Sequence, residues 1–320
     1  MVEERPARFP GAFSLSAASQ VLVGVALALI GIGPALAAER ADASNRPEQL
    51  AQLCPGMVKA GNTASLRQVQ TSLLTMSPVP RDLAVVLAHA EALLICQAPQ
   101  SALRVLDRYG PAAGAEREAW LLLRWRAANA GLDHRIAAMA LQDLAGTDFS
   151  ALETLQLELK RDPEGGSITR PALDQLADHL ESQGMLQAAA QVLLSSTTPG
   201  EIAARRLAQA AALLAELPIS ERMRLLDQAL DQAAAAGAWT RVSELLDRQL
   251  ALPESPETAS FRARAAERRL RLSRRLDDAY GEWSLPSSTS GDRRQALETQ
   301  LRSPRAPGGH AHRTTSLSQP

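Results

Sequence analysis

Arg170-Pro171-Ala172-Leu173-Asp174-Gln175-Leu176-Ala177-Asp178-His179-Leu180-Glu181-Ser182-Gln183-Gly184-Met185-Leu186-Gln187-Ala188-Ala189-Ala190-Gln191-Val192-Leu193-Leu194 is the stretch that decides the fold. Leu173, Leu176, Ala177 and Leu180 recur at intervals of three and four, the spacing that lines one face of a helix. Gly184 interrupts, and Ala189 and Leu193 resume the spacing beyond it. Glycine accepts the left-handed backbone that closes a helix. The stretch predicts two short amphipathic helices joined by a tight turn.

The pattern continues in both directions. Helices are expected over Arg81–Gln97, Ser101–Tyr109, Glu116–Asn129, Asp133–Leu144, Phe149–Lys160, Arg170–Gln183, Met185–Leu194, Gly200–Leu217, Ser220–Ala236, Ala238–Leu252 and Pro256–Trp283. Thr169 is placed to cap the helix that follows it, with Pro171 in the first turn, and Ser220 and Glu221 open another. Gly131, Gly184 and Gly237 mark turns at equal steps of 53 residues (184 − 131 and 237 − 184). Each such step fits three helices, and the shorter step from Gln97-Ala98 to Gly131 fits two. Repetition at these periods marks a solenoid, whose units bury their apolar faces only against one another.

Leu173, Leu176, Ala177, Leu180, Gly184, Ala189 and Leu193 resemble the tetratricopeptide repeat, with Ala177 and Ala189 at the two small positions twelve apart. Val86, Ala90, Leu93, Ala102 and Leu106 fit the same frame, with Ala90 and Ala102 as the small pair. Leu226–Leu246 fits loosely, with Leu230 and Val242 at those positions. The family's Trp, Tyr and Pro are missing. The resemblance implies an all-α fold, a right-handed superhelix of antiparallel helix hairpins.

Composition agrees with helix. Apolar residues make up 46% of the 320 and aromatics only 3%. The apolar set is mostly Leu and Ala, which favour helix over strand. The net charge of −1 provides no field to gather nucleic acid.

Residues 1–37 have the form of a secretory signal: Arg5 and Arg8, the apolar run Val21–Ile30, then Ala35-Leu36-Ala37. Gly31, Gly33 and Pro34 cut the run short of the roughly 20 residues of a membrane span. The expected location is the periplasm or another extracytoplasmic or lumenal space; the alternative is an uncleaved anchor. In an oxidising compartment Cys54 and Cys96 are disulfide candidates, the alternative being two buried thiols. Residues 38–47 read as a linker, 48–283 as the helical domain, and 284–320 as a largely disordered tail in which Asp292–Leu301 can form a short helix.

The sequence has no phosphate loop, serine elbow, HExxH motif or close cysteine pair, so no catalytic, cofactor-binding or metal-binding residue is assigned and no small-molecule substrate is expected. His89, His134 and His179 read as lone helical histidines, and His310-Ala311-His312 as a weak metal candidate. Glu116 and Glu118, near Trp120 and Trp125, are candidates for glycan binding or cleavage, set against a first helical turn followed by core aromatics. Arg262, Arg264, Arg268, Arg269, Arg271, Arg274 and Arg275 crowd one amphipathic helix with Phe261, Ala265, Leu272, Leu276, Ala279 and Trp283. Such a helix can touch an anionic membrane or grip an acidic partner, or else cap the helical stack with its arginines in water. The expected function is an exported protein-interaction scaffold with unidentified protein partners.

Overall fold

The computed structural model describes residues 47–76, 82–161, 166–285 and 290–302. The expected signal segment (1–37), most of the expected linker (38–47) and the His310/His312 pair lie outside them. Those residues are mostly helical. A first helix, α1, runs through 47–59. It is followed by α2 (Thr63–Thr75), α3 (Leu83–Ile95), α4 (Pro99–Tyr109), a 3-10 turn (Gly114–Glu116), α5 (Arg117–Ala130) and α6 (His134–Ala145). A second 3-10 turn (Phe149–Glu153) leads into β1 (Gln156–Arg161) and β2 (Ser167–Pro171). Then come α7 (Ala172–Ser182), α8 (Leu186–Leu194), α9 (Glu201–Leu213), α10 (Ile219–Ala235), α11 (Trp239–Leu250), α12 (Pro256–Arg275), α13 (Ala279–Trp283) and α14 (Gly291–Leu301). From α2 onward each helix packs on the next in sequence, and α3 also touches α5 and α10 touches α12. No helix among the described residues is long and apolar enough to cross a membrane.

Among the described residues one turn recurs six times. Gly61, Gln97, Leu132, Gly184, Gly237 and Asp277 are left-handed, with φ from +54° to +75°. At each, the amide of the following residue donates to the carbonyl five residues earlier at 2.8–2.9 Å, as in Asp133 to Ala128 and Met185 to Leu180. This is the Schellman closure of one helix, and the donor residue is at once the N-cap of the next. Asn62, Asp133 and Asp278 reinforce that cap with their side chains. Counted from these turns, Val86, Leu121, Leu173 and Leu226 fall at the same position eleven residues before, and Ala102, Ala137, Ala189 and Val242 five after. All eight are buried, as are Leu176, Ala177, Leu180, Leu193 and Ala90.

Several expectations need correction. Phe149–Lys160 is not a helix. Leu157-Glu158-Leu159-Lys160 alternates apolar and charged residues, and Asp162-Pro163-Glu164-Gly165-Gly166 precedes Ser167, so the segment makes one arm of an antiparallel hairpin. Thr169 lies in β2 rather than capping α7, and Pro171 is the N-cap residue itself. Gly131 is not left-handed (φ −88°); Leu132 takes that role. The step from Gly131 to Gly184 holds two helices and the hairpin, not three helices. The last long helix stops at Arg275, and the chain turns at Asp277 into α13. Packing also continues past Trp283: in α14, Leu297 is fully buried and Arg293 pairs with Glu282.

The apolar core has two clusters. One runs from Ala51 to Leu193 and takes in Ala210 and Leu213 of α9. The other begins with Ala204, Ala208 and Ala211 on another face of α9 and extends to Leu272 of α12. Helix α9 thus belongs to both.

Candidate functional site

The first helices of successive hairpins, α1, α3 and α5, supply the walls of two hollows on either side of the α3 ridge. One, of about 490 Å³, lies between α1 (Glu48, Ala51, Pro55) and α3 (Ala88, Ala92, Ile95). The other, of about 650 Å³, lies between α3 (Leu87, Ile95), α5 (Leu122, Trp125, Arg126) and the consecutive residues Gln156, Leu157 and Glu158 of β1. Glu91 and Ile95 border both. They sit one turn apart on α3, and Ile95 is 47% exposed. Glu91 pairs with Arg126 at 2.9 Å across the second hollow. A strand presents every second residue to each face, so three consecutive β1 residues mean that the groove meets the strand along its edge. Ala172 donates to Leu155 at 2.8 Å. That bond sets the phase of the ladder, and it aims the backbone groups of Gln156 away from β2.

Cys54 of α1 and Cys96, the C-cap of α3, are joined in a disulfide with Cα atoms 5.0 Å apart. The Cys96 carbonyl also accepts from Gln70 Nε2 of α2 at 2.7 Å. The groove wall at α1 is therefore tied covalently to α3.

Below the groove, Trp125 Nε1 donates to His179 Nε2 at 3.2 Å, and His179 Nδ1 lies 3.1 Å from His134 Nδ1. An indole nitrogen only donates, so neutral His179 carries its proton on Nδ1 and gives it to His134. The facing nitrogens are thus joined by a hydrogen bond, and no lone pair is left between them for a metal. Burial, and then His134, lower the His179 pKa to about 4. Among the described residues no group of three or more His, Cys, Asp or Glu is placed to hold a metal ion. His89, also buried, does not join this pair; burial lowers its pKa, opposed by a bond with Leu73.

A charged cluster that sequence reasoning missed lies at the joint between the two cores. Arg206 of α9 is 2% exposed. Its Nε donates to Asp174 Oδ1 at 2.7 Å, and its Nη1 donates to Glu153 and to Ser196 Oγ. Glu153 also accepts from the Thr197 amide at 3.0 Å and hydroxyl at 2.7 Å, and from Ser196. Burial pushes the Glu153 pKa up, but the bonds from Ser196, Thr197 and Thr198 win and hold it at about 2. Every member is satisfied within the cluster, so it acts as a polar staple between the 3-10 turn, α7 and α9. Arg206, Ala210 and Leu213 follow helical spacing; a charge on that apolar face was the available signal.

The Arg-rich helix α12 is largely neutralised. Arg262 pairs with Glu254, Arg268 with Asp227, Arg269 with Asp247, Arg271 with Glu267, and Arg274 with Glu282. Arg264 stacks on Phe261 and Arg275 on Trp239, 5.0 and 4.5 Å from the ring centres. Arg268, Arg271 and Arg275 border a third hollow, of about 490 Å³, floored by Leu230, Trp239 and Leu246. Trp120 and Trp125 are core residues, 5% and 3% exposed, so neither presents an open face to a sugar. Glu116 accepts from the Tyr109 hydroxyl, and Glu118 lies in the first turn of α5.

Compared with known protein families, curated proteins and solved structures, the chain matches none.

Proposed function

We propose that this chain is an exported interaction module: a tetratricopeptide-like α-solenoid, right-handed in its superhelix. It would act in the bacterial envelope or a lumenal space and hold a segment of a partner protein along α1, α3 and α5, without catalysis of its own. The observation that carries this reading is the paired hollows, whose floor of Leu87, Ala92, Ile95 and Leu122 is apolar and reaches the surface. Exposed apolar ground of this kind marks contact sites. Export is supported by the form of residues 1–37 and by the Cys54–Cys96 bond, which persists in oxidising compartments.

A photo-crosslinker placed at Leu122, with another at Tyr280 as control, tests the groove. Tyr280 is 62% exposed and lies in α13, away from the hollows. Discrete adducts from Leu122 but not from Tyr280 are expected in the native compartment. Equal labelling from both positions, or retention of the chain in the cytosol with residues 1–37 uncleaved, overturns the proposal.

A further inference from the structure

We propose that Trp125, His179 and His134 form a proton-operated latch, which fastens the Trp125 side of the larger hollow to α7 and lets go when one proton is taken from solvent. The three rings come from α5, α7 and α6. Their bonds run one way, from the indole to His179 and from His179 to His134. The indole nitrogen has no lone pair, so that direction is fixed. His134 accepts at Nδ1 and therefore carries its own proton on Nε2. The two basic nitrogens left, His179 Nε2 and His134 Nδ1, are each covered by a donor. An added proton displaces one donor or the other. On His134 Nδ1 it sets two N–H groups face to face 3.1 Å apart. Gln183 Nε2 opposes any parting of those rings, because it donates to the His134 carbonyl at 3.1 Å and to that of His179 at 3.0 Å. On His179 Nε2 the proton leaves the bond between the imidazoles intact and shares the charge across it. That site wins, and the bond that breaks is the one to Trp125.

The charged groups on the surrounding elements are committed elsewhere. On α5, Arg117 pairs with Asp143 of α6, Arg124 with Asp107 and Arg126 with Glu91, and Glu118 borders a separate hollow with Arg117. On α6, Asp133 accepts from the Ile136 amide and Arg135 reaches Met139. On α7, Asp174 is held by Arg205 and Arg206, Asp178 by Arg170 of β2, and Glu181 by Gln209. Glu153 of the 3-10 turn is held by Arg206, and α8 has no ionisable residue. With burial and His134 keeping the His179 pKa at about 4, against 6.5 for a free ring, the latch is closed near neutrality. The open form gains on the closed one by up to about tenfold per pH unit between those values. Trp125 is 3% exposed and borders the hollow with Leu122 and Leu157. Without an acceptor its N–H is a buried unsatisfied donor, and the hollow is the open space through which the ring finds water. A partner held there at neutral pH is released in acid; this last step rests on the groove being the binding face, and the latch itself does not.

The test follows the indole N–H signals of purified, oxidised protein by NMR from pH 7.5 to 4.5. Trp120, whose Nε1 donates to the Leu106 carbonyl, is the internal reference. Protection of the Trp125 N–H against solvent exchange, relative to Trp120, should fall by up to about tenfold per pH unit below pH 6.5. His179→Gln should flatten that ratio, because its amide can accept from the indole and donate to His134 without titrating. A constant ratio in the wild-type protein, which is equally the result if the chain only unfolds as a whole, overturns the latch. So does a slope that survives in a folded His179→Gln variant. Crosslinking from Leu122 should fall over the same pH range. If Leu122 gives no adduct at any pH while the ratio still falls, the groove reading fails and the latch stands. Adducts that persist unchanged as the ratio falls overturn control of the groove by the latch.

Discussion

His179 Nδ1 and His134 Nδ1 lie 3.1 Å apart, and the only proton between them belongs to His179, whose other nitrogen is occupied by the Trp125 indole. Protonating His179 also breaks the indole bond; burial, and then His134, disfavour a charge there. The His179 pKa falls from 6.5 to about 4. Between those values the unfolded chain binds more protons than the folded one, so stability is lost as pH drops through that window. The full shift corresponds to about 3 kcal/mol. Urea midpoints from pH 7.5 to 4.5 should decline steadily. The double change Trp125→Phe and His179→Leu, which avoids stranding the indole, should flatten that decline. An unchanged slope in the double variant removes His179 as its source.

Arg206 holds two buried carboxylates, and its removal takes the only guanidinium from Glu153 and leaves Asp174 with the half-exposed Arg205. Arg206→Met should cost about 3–5 kcal/mol, the usual result of breaking a buried ion pair from one side. Replacing Glu153 by Gln and Asp174 by Asn in the same chain should recover much of the loss, because the uncompensated charge goes too. Equilibrium unfolding of the single and triple variants decides it. A loss under about 1 kcal/mol in the single variant would mean that water reaches the cluster.

Glu153 adds a second acid window. Its pKa of about 2 lies below the ordinary 4.5, so the stability it contributes is complete above pH 4.5 and lost as pH falls toward 2. Glu153→Gln should leave the slope between pH 6.5 and 4.5 unchanged and reduce the slope below it. A change confined to the upper window would contradict the assignment.

How far the fold could be read from the sequence depends on which residue closes each turn. At Gly184 and Gly237 a glycine is left-handed, and α7, α8, α10 and α11 follow from spacing. At Leu132 a leucine takes that conformation next to Gly131, so a frame set by glycines is one residue out of register there. The slip hid α5 and α6 as a pair equivalent to α7 and α8, with Ala137 where Ala189 stands. Leu152, Leu155 and Leu159 fit helical spacing, which competes with the alternation of Leu157-Glu158-Leu159-Lys160, and the Pro-Gly segment after Arg161 tips the balance to the hairpin. The groove was not legible at all, because it is made by α1, α3 and α5 lying side by side. The same holds for His134 and His179, which come from α6 and α7 with a hairpin between them.

The Cys54–Cys96 bond closes a separation of 42 residues. In the chain-entropy model, a loop of that size constrains the unfolded chain by about 4 kcal/mol. Exchanging both cysteines for serine should lower stability by about 2–4 kcal/mol. Hydrogen exchange should rise first in α1 and α2, which the bond and the Gln70 contact tie to α3. Uniform exchange across the chain would mean that α1 is held by packing alone.

Leu132 offers the sharpest check on the recurring turn. Its φ of +56° places a Cβ where the backbone crowds it, at a cost of about 1–2 kcal/mol. Its side chain is 75% exposed, so little burial offsets that strain. Leu132→Gly should relieve it, less the extra freedom that glycine gives the unfolded chain, for a net gain of about 0.5–1 kcal/mol. Gly184→Ala is the mirror case. The same conformation, at φ +75°, meets a new Cβ with nothing within 4 Å to clash with it, so its cost of about 1 kcal/mol is backbone strain alone. If the turns share one geometry, the two substitutions must move the urea midpoint in opposite directions. If both destabilise, Leu132 is held by its side chain, and the left-handed turn between α5 and α6 is not the counterpart of the one between α7 and α8.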